Sequence, residues 1–142
     1  PRPLLVHGTC VAVGETGFLI QGPSGSGKSG LALQMMAMGA ELVADDQVAL
    51  APVAGRVTAS APQTIAGRIE ARHLGLISLR HKDNVALHHC IDLAEEPEGR
   101  LPQTRFIEFF GIRLPLIAGR NVPNLAASMI VLGKGAHLDG GC

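Results

Sequence analysis

The sequence predicts an α/β fold in which a mixed sheet with several β-hairpins is accompanied by few helices. The chain has 142 residues, of which 46% are hydrophobic, so it can bury one core and is not disordered throughout. Most apolar residues fall in short runs bounded by Gly, Pro or Asn, which is typical of strands and hairpins. We expect a single domain over residues 1–142, with a frayed tail from about residue 135.

The first half of the chain predicts short strands and one helix. The apolar runs that predict strands lie at residues 4–6, 10–13, 18–20 and 42–44, followed by a hairpin over 48–59. Residues 31–38 are mostly good helix formers, and Gly39 is typical of a helix C-cap. The order strand, hairpin, helix, strand is therefore expected before residue 60.

The second half is less regular. Residues 85–93 predict a strand, residues 65–79 a loop with some apolar side chains, and residues 95–103 a polar loop. For residues 106–116 the pattern fits either paired short strands or a short helix followed by a strand. We expect Asn121 to cap a last helix that contains Pro123 in its first turn and ends near Gly133.

Composition excludes several classes of function. Twelve basic and twelve acidic side chains cancel, and four Phe without Trp or Tyr give few stacking surfaces, so we expect no nucleic-acid partner. No apolar run is long enough to span a bilayer. Cys10, Cys90 and Cys142 are widely spaced, which argues against a disulfide framework and a zinc site and favours buried thiols in a reducing, cytoplasmic setting.

The strongest motif is a glycine-rich loop between a predicted strand and a predicted helix. Gly22 and Gly27 flank four residues and are followed by Lys28 and Ser29. Glycines allow backbone N–H groups to wrap around phosphate oxygens, and the next helix directs its N-terminus at the same anion. Lys28 suits the terminal phosphates and Ser29 suits Mg²⁺. The motif indicates binding of a nucleoside triphosphate or another polyphosphate, without indicating the reaction.

Two adjacent carboxylates follow the next strand. Asp45 and Asp46 can face different ways, so that one serves a metal and the other accepts a proton from an attacking hydroxyl. The alternative is a solvated Asp-Asp turn or a pair of helix caps.

Other candidates are weaker. Glu70 is a candidate metal carboxylate and Arg72 a candidate phosphate clamp, although composition alone favours a surface ion pair with a loop glycine. His7 alone reads as a packed or surface residue. His88 and His89 are neighbours in a strand and point to opposite faces, so they cannot easily share a metal.

Taken in order, these residues resemble the HPr kinase/phosphorylase family at its C-terminal catalytic domain. The family has a His-Gly pair, matched by His7-Gly8, and a loop of the form G-x-S-G-x-G-K-S, matched by residues 22–29. Its V-A-D-D strand end is matched by residues 43–46, and its E-x-R-G-L-G signature corresponds to residues 70–75. An R-L pair aligns with Arg100-Leu101, and a closing P-V-R-P-G-R-N segment is similar to residues 115–121.

The resemblance implies a phosphate-loop fold akin to phosphoenolpyruvate carboxykinase. It implies transfer of the γ-phosphoryl group of ATP, with Mg²⁺, to a serine of the phosphocarrier HPr. It also implies a reverse phosphorolysis that uses inorganic phosphate and releases pyrophosphate, and assembly as hexamers.

The resemblance also implies roles for individual residues. Asp46 would be the general base toward the serine hydroxyl, with Lys28 and His7 near the transferred phosphoryl group. Ser29, Asp45 and Glu70 would serve the metal, and Arg100 would steady phosphate or the protein substrate. The residues implied to hold the nucleotide are Gly22, Pro23, Ser24, Gly25, Ser26, Gly27, Lys28 and Ser29.

The chain departs from the family pattern at several positions. His73 stands where the signature has Gly, and Gly30 stands where the family usually has Glu. Ile117-Ala118 replace the Arg-Pro of the closing segment, which the family ties to dephosphorylation. We therefore expect kinase activity to be retained and phosphorylase activity to be weak or lost.

Two other functions remain open at this point. A small-molecule kinase would use the same loop on a metabolite, and a nucleotide-sensing module would bind ATP without chemistry. A GTPase is disfavoured because the chain has no N-K-x-D guanine motif.

Overall fold

The structure, a computed structural model, describes residues 3–138. The strands are β1 Leu4–His7, β2 Thr9–Val13, β3 Thr16–Gln21, β4 Glu41–Ala44, β5 Gln47–Val53, β6 Arg56–Ser60, β7 Arg68–Ala71, β8 Gly75–Ser78, β9 Asn84–Asp92, β10 Arg105–Phe109 and β11 Ile112–Ala118. The helices are α1 Lys28–Ala37 and α2 Leu125–Gly133, with one 3₁₀ turn at Gln63–Ile65.

Nine of these strands form one mixed sheet. Its order is β1-β5-β6-β9-β3-β2-β4, and β10 and β11 join it through the pairing of β11 with β9. β9 pairs in parallel with both β3 and β11, whereas the other pairs of this sheet are antiparallel. β7 and β8 form a separate hairpin.

Two bends lie side by side in this sheet. β1 pairs with β5 and β2 pairs with β4, so the chain bends at Gly8 opposite the bend at Asp45 and Asp46. The Gly8 N–H donates to the Asp46 carbonyl oxygen at 3.1 Å, which joins the two bends. A Cβ on Gly8 would lie 2.8 Å from the Ile20 carbonyl oxygen, so this close approach requires glycine. The pairing brings His7 next to the aspartates.

Both faces of the central strands are buried. Phe18 and Ile20 face one hydrophobic cluster with Met35 of α1, while Leu19 faces a second cluster with Val48 of β5. Because side chains alternate along a strand, the burial of every residue of β2 and of the four central residues of β3 means that each face of the sheet is covered. Both helices pack on the same face of the sheet. This packing sets the position of the first residues of α1 relative to β3.

The short strands and hairpins of the first half are confirmed, as is α1. The C-cap of α1 is Met38, one residue before the predicted Gly39, which follows with φ 110°. The alternative of paired strands is the correct one for residues 106–116. The predicted frayed tail falls largely on residues 139–142, which lie outside the described residues, as does Cys142.

The prediction for α2 is wrong at its start. The N-cap is Asn124, and Pro123 precedes the helix instead of lying in its first turn. The Arg120 N–H donates to the Glu95 carbonyl oxygen at 2.9 Å, and the Asn121 side chain donates to Glu96 at 2.8 Å. These bonds tie residues 120 and 121 to the loop after β9, so the helix starts later. Within residues 3–138, no helix is long and apolar enough to cross a membrane.

The prediction of a loop over residues 65–79 is also wrong. This segment contains the β7–β8 hairpin, in which Arg68 pairs with Ser78 and Ala71 with Gly75. The turn places His73 at φ 68°, a left-handed conformation that suits the Gly of the resembled signature. The histidine therefore occupies the turn that a glycine would form.

We predict that stability depends on the packing of α1. Met35 is fully buried, whereas Met38, on the same helical segment, is 41% exposed. Met35→Ala should lower the free energy of unfolding by about 2–5 kcal/mol because it leaves a cavity, and Met38→Ala by under about 1 kcal/mol. Urea denaturation followed by circular dichroism measures both, and equal losses would show that α1 does not pack as described.

Candidate active site

The phosphate loop connects β3 to α1. Gly25 and Gly27 have φ angles of 83° and 98°, a left-handed region that strains other residues. Gly27 is the N-cap of α1, and no side chain of the part of the chain that the structure describes caps this end of the helix. The first N–H groups of α1 therefore lack a capping side chain, which is the arrangement that binds an anion at a helix N-terminus.

Lys28 lies over this loop. Its Nζ donates to the carbonyl oxygens of Gly22 at 2.9 Å and Pro23 at 3.0 Å, and the residue is buried. An ammonium group has three donors, so one remains for a ligand. The Ser26 hydroxyl is buried and has no hydrogen-bond partner among the described residues. Both groups offer donors to a ligand bound on the loop.

Asp45 connects three separate elements. Its Oδ1 accepts hydrogen bonds from the hydroxyls of Thr9 on β2 and Ser29 on α1, both at 2.8 Å. Its Oδ2 accepts the backbone N–H of Glu70 on β7 at 3.2 Å. Asp45 is 9% exposed, so these donors compensate for burying the carboxylate. The carboxylate is held in one orientation beside Ser29.

Asp46 faces the opposite way from its neighbour. Its side chain is 75% exposed, and its Oδ1 lies 3.7 Å from Nδ1 of His7. The residue has φ 72°, and its carbonyl oxygen accepts the Gly8 N–H. The prediction that two adjacent carboxylates point in different directions describes this geometry.

One cleft, the aspartate cleft, collects most of the predicted residues. It is lined by both aspartates, His7, Lys28, Ser29 and Glu70.

 The volume of the aspartate cleft is about 810 Å³. Arg68 and Arg72 of the β7–β8 hairpin also line it, so cationic and anionic side chains face the same space.

Arg100 is the exception among the predicted site residues. It lies on the exposed loop between β9 and β10 and is absent from the lining of the aspartate cleft as described for residues 3–138. Within the same residues, no three His, Cys, Asp or Glu side chains lie close enough to hold a metal ion by themselves. A magnesium ion here would need further oxygens from a bound substrate or water, as Mg²⁺ commonly does.

Thr9 is a site residue that the sequence analysis missed. It is fully buried, and its hydroxyl donates to the same Asp45 oxygen as that of Ser29. The signal was a hydroxyl residue at the start of an otherwise apolar strand, directly after the His7-Gly8 pair. A buried hydroxyl needs a partner, and the carboxylate after β4 is the one that the strand pairing brings near.

The remaining candidates lie away from the cleft. Burial lowers the pKa of His88, which contacts Arg56, and burial also lowers the pKa of His89, which stacks on Phe18. Burial raises the pKa of the Cys10 thiol and raises that of Cys90 to about 12, so both thiols are poor nucleophiles. The prediction that these two cysteines are buried is confirmed.

The aspartate cleft combines three chemical capacities. Lys28 and the N-terminus of α1 can neutralise phosphate oxygens, and the Asp45–Ser29 pair offers hard oxygen ligands. The exposed Asp46 carboxylate can accept a proton. This set of groups suits phosphoryl transfer, which requires mainly positioning and charge neutralisation.

Comparison with known proteins identifies relatives. A family model described as the HPr Serine kinase C-terminal domain matches residues 2–93. The HPr kinase/phosphorylase of Clostridium beijerinckii is 36% identical over 96 residues, which are 68% of this chain and 30% of the relative. That of Bordetella pertussis is 45% identical over 76 residues, which are 53% of this chain and 25% of the relative. The chain therefore spans about a third or less of the length of these curated relatives.

A solved structure shows the same fold. The Hpr(Ser) kinase/phosphatase from Coxiella burnetii superposes with a TM-score of 0.78 at 24% identity, covering 92% of this chain and 94% of that chain. The predicted α/β phosphate-loop fold, with a mixed sheet, hairpins and few helices, is confirmed. Because the family model covers well over half of the chain, the chain belongs to the HPr serine kinase C-terminal domain family.

Proposed function

We propose that this chain is an ATP-dependent kinase that phosphorylates a serine of HPr in the cytoplasm. The family membership and the names of the relatives support the reaction class. The observation that carries the proposal is the hydrogen bond between Ser29 and Asp45, beside Lys28 and Asp46 in one cleft. This bond links the first turn of α1 to Asp45. The two candidate metal ligands therefore lie in the same cleft as the exposed carboxylate of Asp46.

The residues present fit ATP and Mg²⁺. Residues 22–29 would hold the phosphates, because Lys28 and the unpartnered Ser26 hydroxyl offer donors there. Ser29 and Asp45 would hold the metal, with Glu70 beside them, because their oxygens are already adjacent. When bound, Mg·ATP supplies the γ-phosphoryl group and the metal charge that neutralises it.

Asp46 is the general base in this proposal. Its carboxylate is exposed to the aspartate cleft, where it can accept the proton of the attacking serine hydroxyl. His7 contacts Asp46 on the side of β1 and limits the directions that the carboxylate can adopt. Lys28 stabilises the negative charge on the phosphoryl oxygens during transfer.

The wider assembly belongs to the same proposal. We infer that the chain works as a homo-oligomer, a hexamer as in the resembled family. Arg100 lies on an exposed loop, where it is accessible to HPr or to phosphate from another subunit. A protein substrate suits the aspartate cleft because exposed Leu76 of the β7–β8 hairpin lines it, and exposed Leu74 lies in the turn of the same hairpin.

We predict that Asp46→Asn abolishes most of the kinase activity. The incubation contains the chain, Mg·ATP and HPr, and mass spectrometry follows the phosphate added to serine. Asn tolerates the left-handed backbone at this position but cannot accept the proton, so the rate should fall about 100-fold or more. ATP affinity should be retained or improved because one negative charge is lost near the phosphates.

Asp83→Asn is the matched control for this experiment. Its carboxylate is 93% exposed and lies outside the aspartate cleft, so the rate should not change. Phosphorylation of a metabolite without labelling of HPr would instead favour a small-molecule kinase. ATP binding without any transfer, and unaffected by Asp46→Asn, would favour a nucleotide-sensing module.

We predict that Thr9 positions Asp45 for the metal. Thr9→Val keeps the shape but removes one donor to Oδ1, so the Mg²⁺ concentration at half-maximal rate should rise about tenfold. Thr9→Ser keeps the hydroxyl and should restore the wild-type value. Mn²⁺ binding to the ATP complex, followed by electron paramagnetic resonance, measures the same change without turnover. An unaltered metal affinity in Thr9→Val would contradict this role.

We also predict that the reverse reaction is weak. Ile117 and Ala118 lie on β11 opposite Ile91 and Asp92 of β9, and Ile117 packs against the core under α1 and α2. An apolar side chain packed in this way offers no charge to inorganic phosphate. Phosphorylated HPr mixed with inorganic phosphate should therefore release little pyrophosphate, with a phosphate-free sample as the control. A rate equal to that of the forward reaction would show that these two positions do not matter.

A further inference from the structure

The β7–β8 hairpin presents one of its two faces to the aspartate cleft. Arg68 pairs with Ser78 and Glu70 pairs with Leu76, so these four side chains lie on the same face of the hairpin. The other face holds Ile69, which is fully buried. Arg68, Glu70 and Leu76 all line the cleft. The hairpin therefore contributes a cationic, an acidic and an apolar side chain to one wall of the cleft.

Arg68 is exposed and keeps most of its hydrogen-bond donors available. Its Nη2 donates to the carbonyl oxygen of Thr64 at 3.2 Å, which ties the side chain to the 3₁₀ turn. A guanidinium has five N–H donors, so four remain for a ligand. Among residues 3–138, Arg68 forms no ion pair, although Glu70 lies on the same face. The positive charge of Arg68 is therefore available to a molecule that enters the cleft.

The surroundings of Arg68 suit a protein better than a phosphate chain. Leu76 is 67% exposed, and Leu33 and Ile65 also line the aspartate cleft. Exposed apolar side chains beside an arginine are typical of surfaces that bind other proteins. Donors for a triphosphate lie instead on the phosphate loop and at Lys28, which belong to different elements from Arg68. The hairpin wall is therefore suited to the acceptor and the loop to the donor.

A carboxylate is the natural protein ligand of this guanidinium, because its two oxygens can accept two parallel N–H bonds. We propose that Arg68 binds an aspartate or glutamate of the protein substrate and so helps to select the serine that is phosphorylated. Arg68 and Asp46 line the same cleft, so one substrate segment can reach both. A protein without the acidic residue would cover the guanidinium and leave it unpaired, which costs affinity. This inference rests on the proposed function, because it assumes that a protein serine is the acceptor.

Steady-state kinetics with HPr as the acceptor test the proposal. Arg68→Gln should raise the KM for HPr about fivefold or more and leave kcat and the KM for ATP unchanged, because the ion pair is the same before and during transfer. Arg68→Lys keeps the charge without the planar fork, so its KM for HPr should lie between those of the wild type and Arg68→Gln. Arg80→Gln is the matched control and should change nothing. Arg80 is also exposed, but it follows β8 and lies outside the lining of the aspartate cleft in the part of the chain that the structure describes.

Variants of HPr identify the carboxylate that Arg68 binds. Each aspartate and glutamate of HPr is replaced in turn by its amide, and the KM of each variant is measured with the wild-type chain and with Arg68→Gln. One HPr variant should raise the KM about fivefold or more with the wild-type chain and cause no further rise with Arg68→Gln, because both changes remove the same ion pair. If the effect of every HPr variant adds to that of Arg68→Gln, Arg68 does not bind a carboxylate of HPr.

The outcomes separate this inference from the proposed function. An unchanged KM for HPr in Arg68→Gln, or equal rises for HPr and ATP, would overturn the role of Arg68 and leave the kinase proposal standing. If the wild-type chain binds HPr without phosphorylating it, the kinase proposal fails, and the Kd of HPr for Arg68→Gln, measured by calorimetry, decides the role of Arg68. A wild-type chain that neither binds nor phosphorylates HPr would overturn both.

Discussion

The carboxylate of Asp45 is the interaction on which the site depends. Thr9, Ser29 and the Glu70 backbone donate to it from β2, α1 and β7, so one buried side chain holds three elements together. A buried carboxylate without donors would cost several kcal/mol, which makes these bonds conditions of the fold. The same bonds set the distance between the phosphate loop and the carboxyl end of β4. The fold and the proposed chemistry therefore both depend on the hydrogen bonds that Asp45 accepts.

The paired bends explain why this constraint can be met. An antiparallel pair that continues across a bend needs both strands to bend together, and Gly8 and Asp46 do so. Asp46 then adopts φ 72°, which costs about 1–2 kcal/mol in a non-glycine residue and is offset by its surroundings. With this backbone conformation, the side chain of Asp45 points into the protein and that of Asp46 points toward solvent. Two adjacent carboxylates with different surroundings follow from the backbone at this bend.

Local signals in the sequence predicted the parts of the site that depend on local structure. The glycine pattern before Lys28 and the apolar strand before Asp45 were sufficient to place the loop and the aspartates. The β7–β8 hairpin was missed because Leu74, Leu76 and Ile77 are apolar residues that lie exposed. The sequence around them therefore lacks the alternation of apolar and polar residues that indicates a strand. The start of α2 was missed because Asn121 and Asn124 are equivalent as caps, and only bonds to Glu95 and Glu96 distinguish them. Thr9 required knowledge of the strand pairing, and the role of Arg100 stays a prediction.

Gly30 shows how one residue can change the charge of the site without changing the fold. It lies in the first turn of α1 and lines the aspartate cleft, and a Cβ built on it would meet no atom of another element within 4 Å among residues 3–138. The Glu that the resembled family usually has here would therefore fit sterically, and it would also favour the helix over Gly by up to about 1 kcal/mol. The effect of the glycine is then electrostatic, because it leaves this side of the phosphate loop without a further carboxylate in the aspartate cleft. Under the proposed function, a polyphosphate bound beside Lys28 would therefore meet less negative charge.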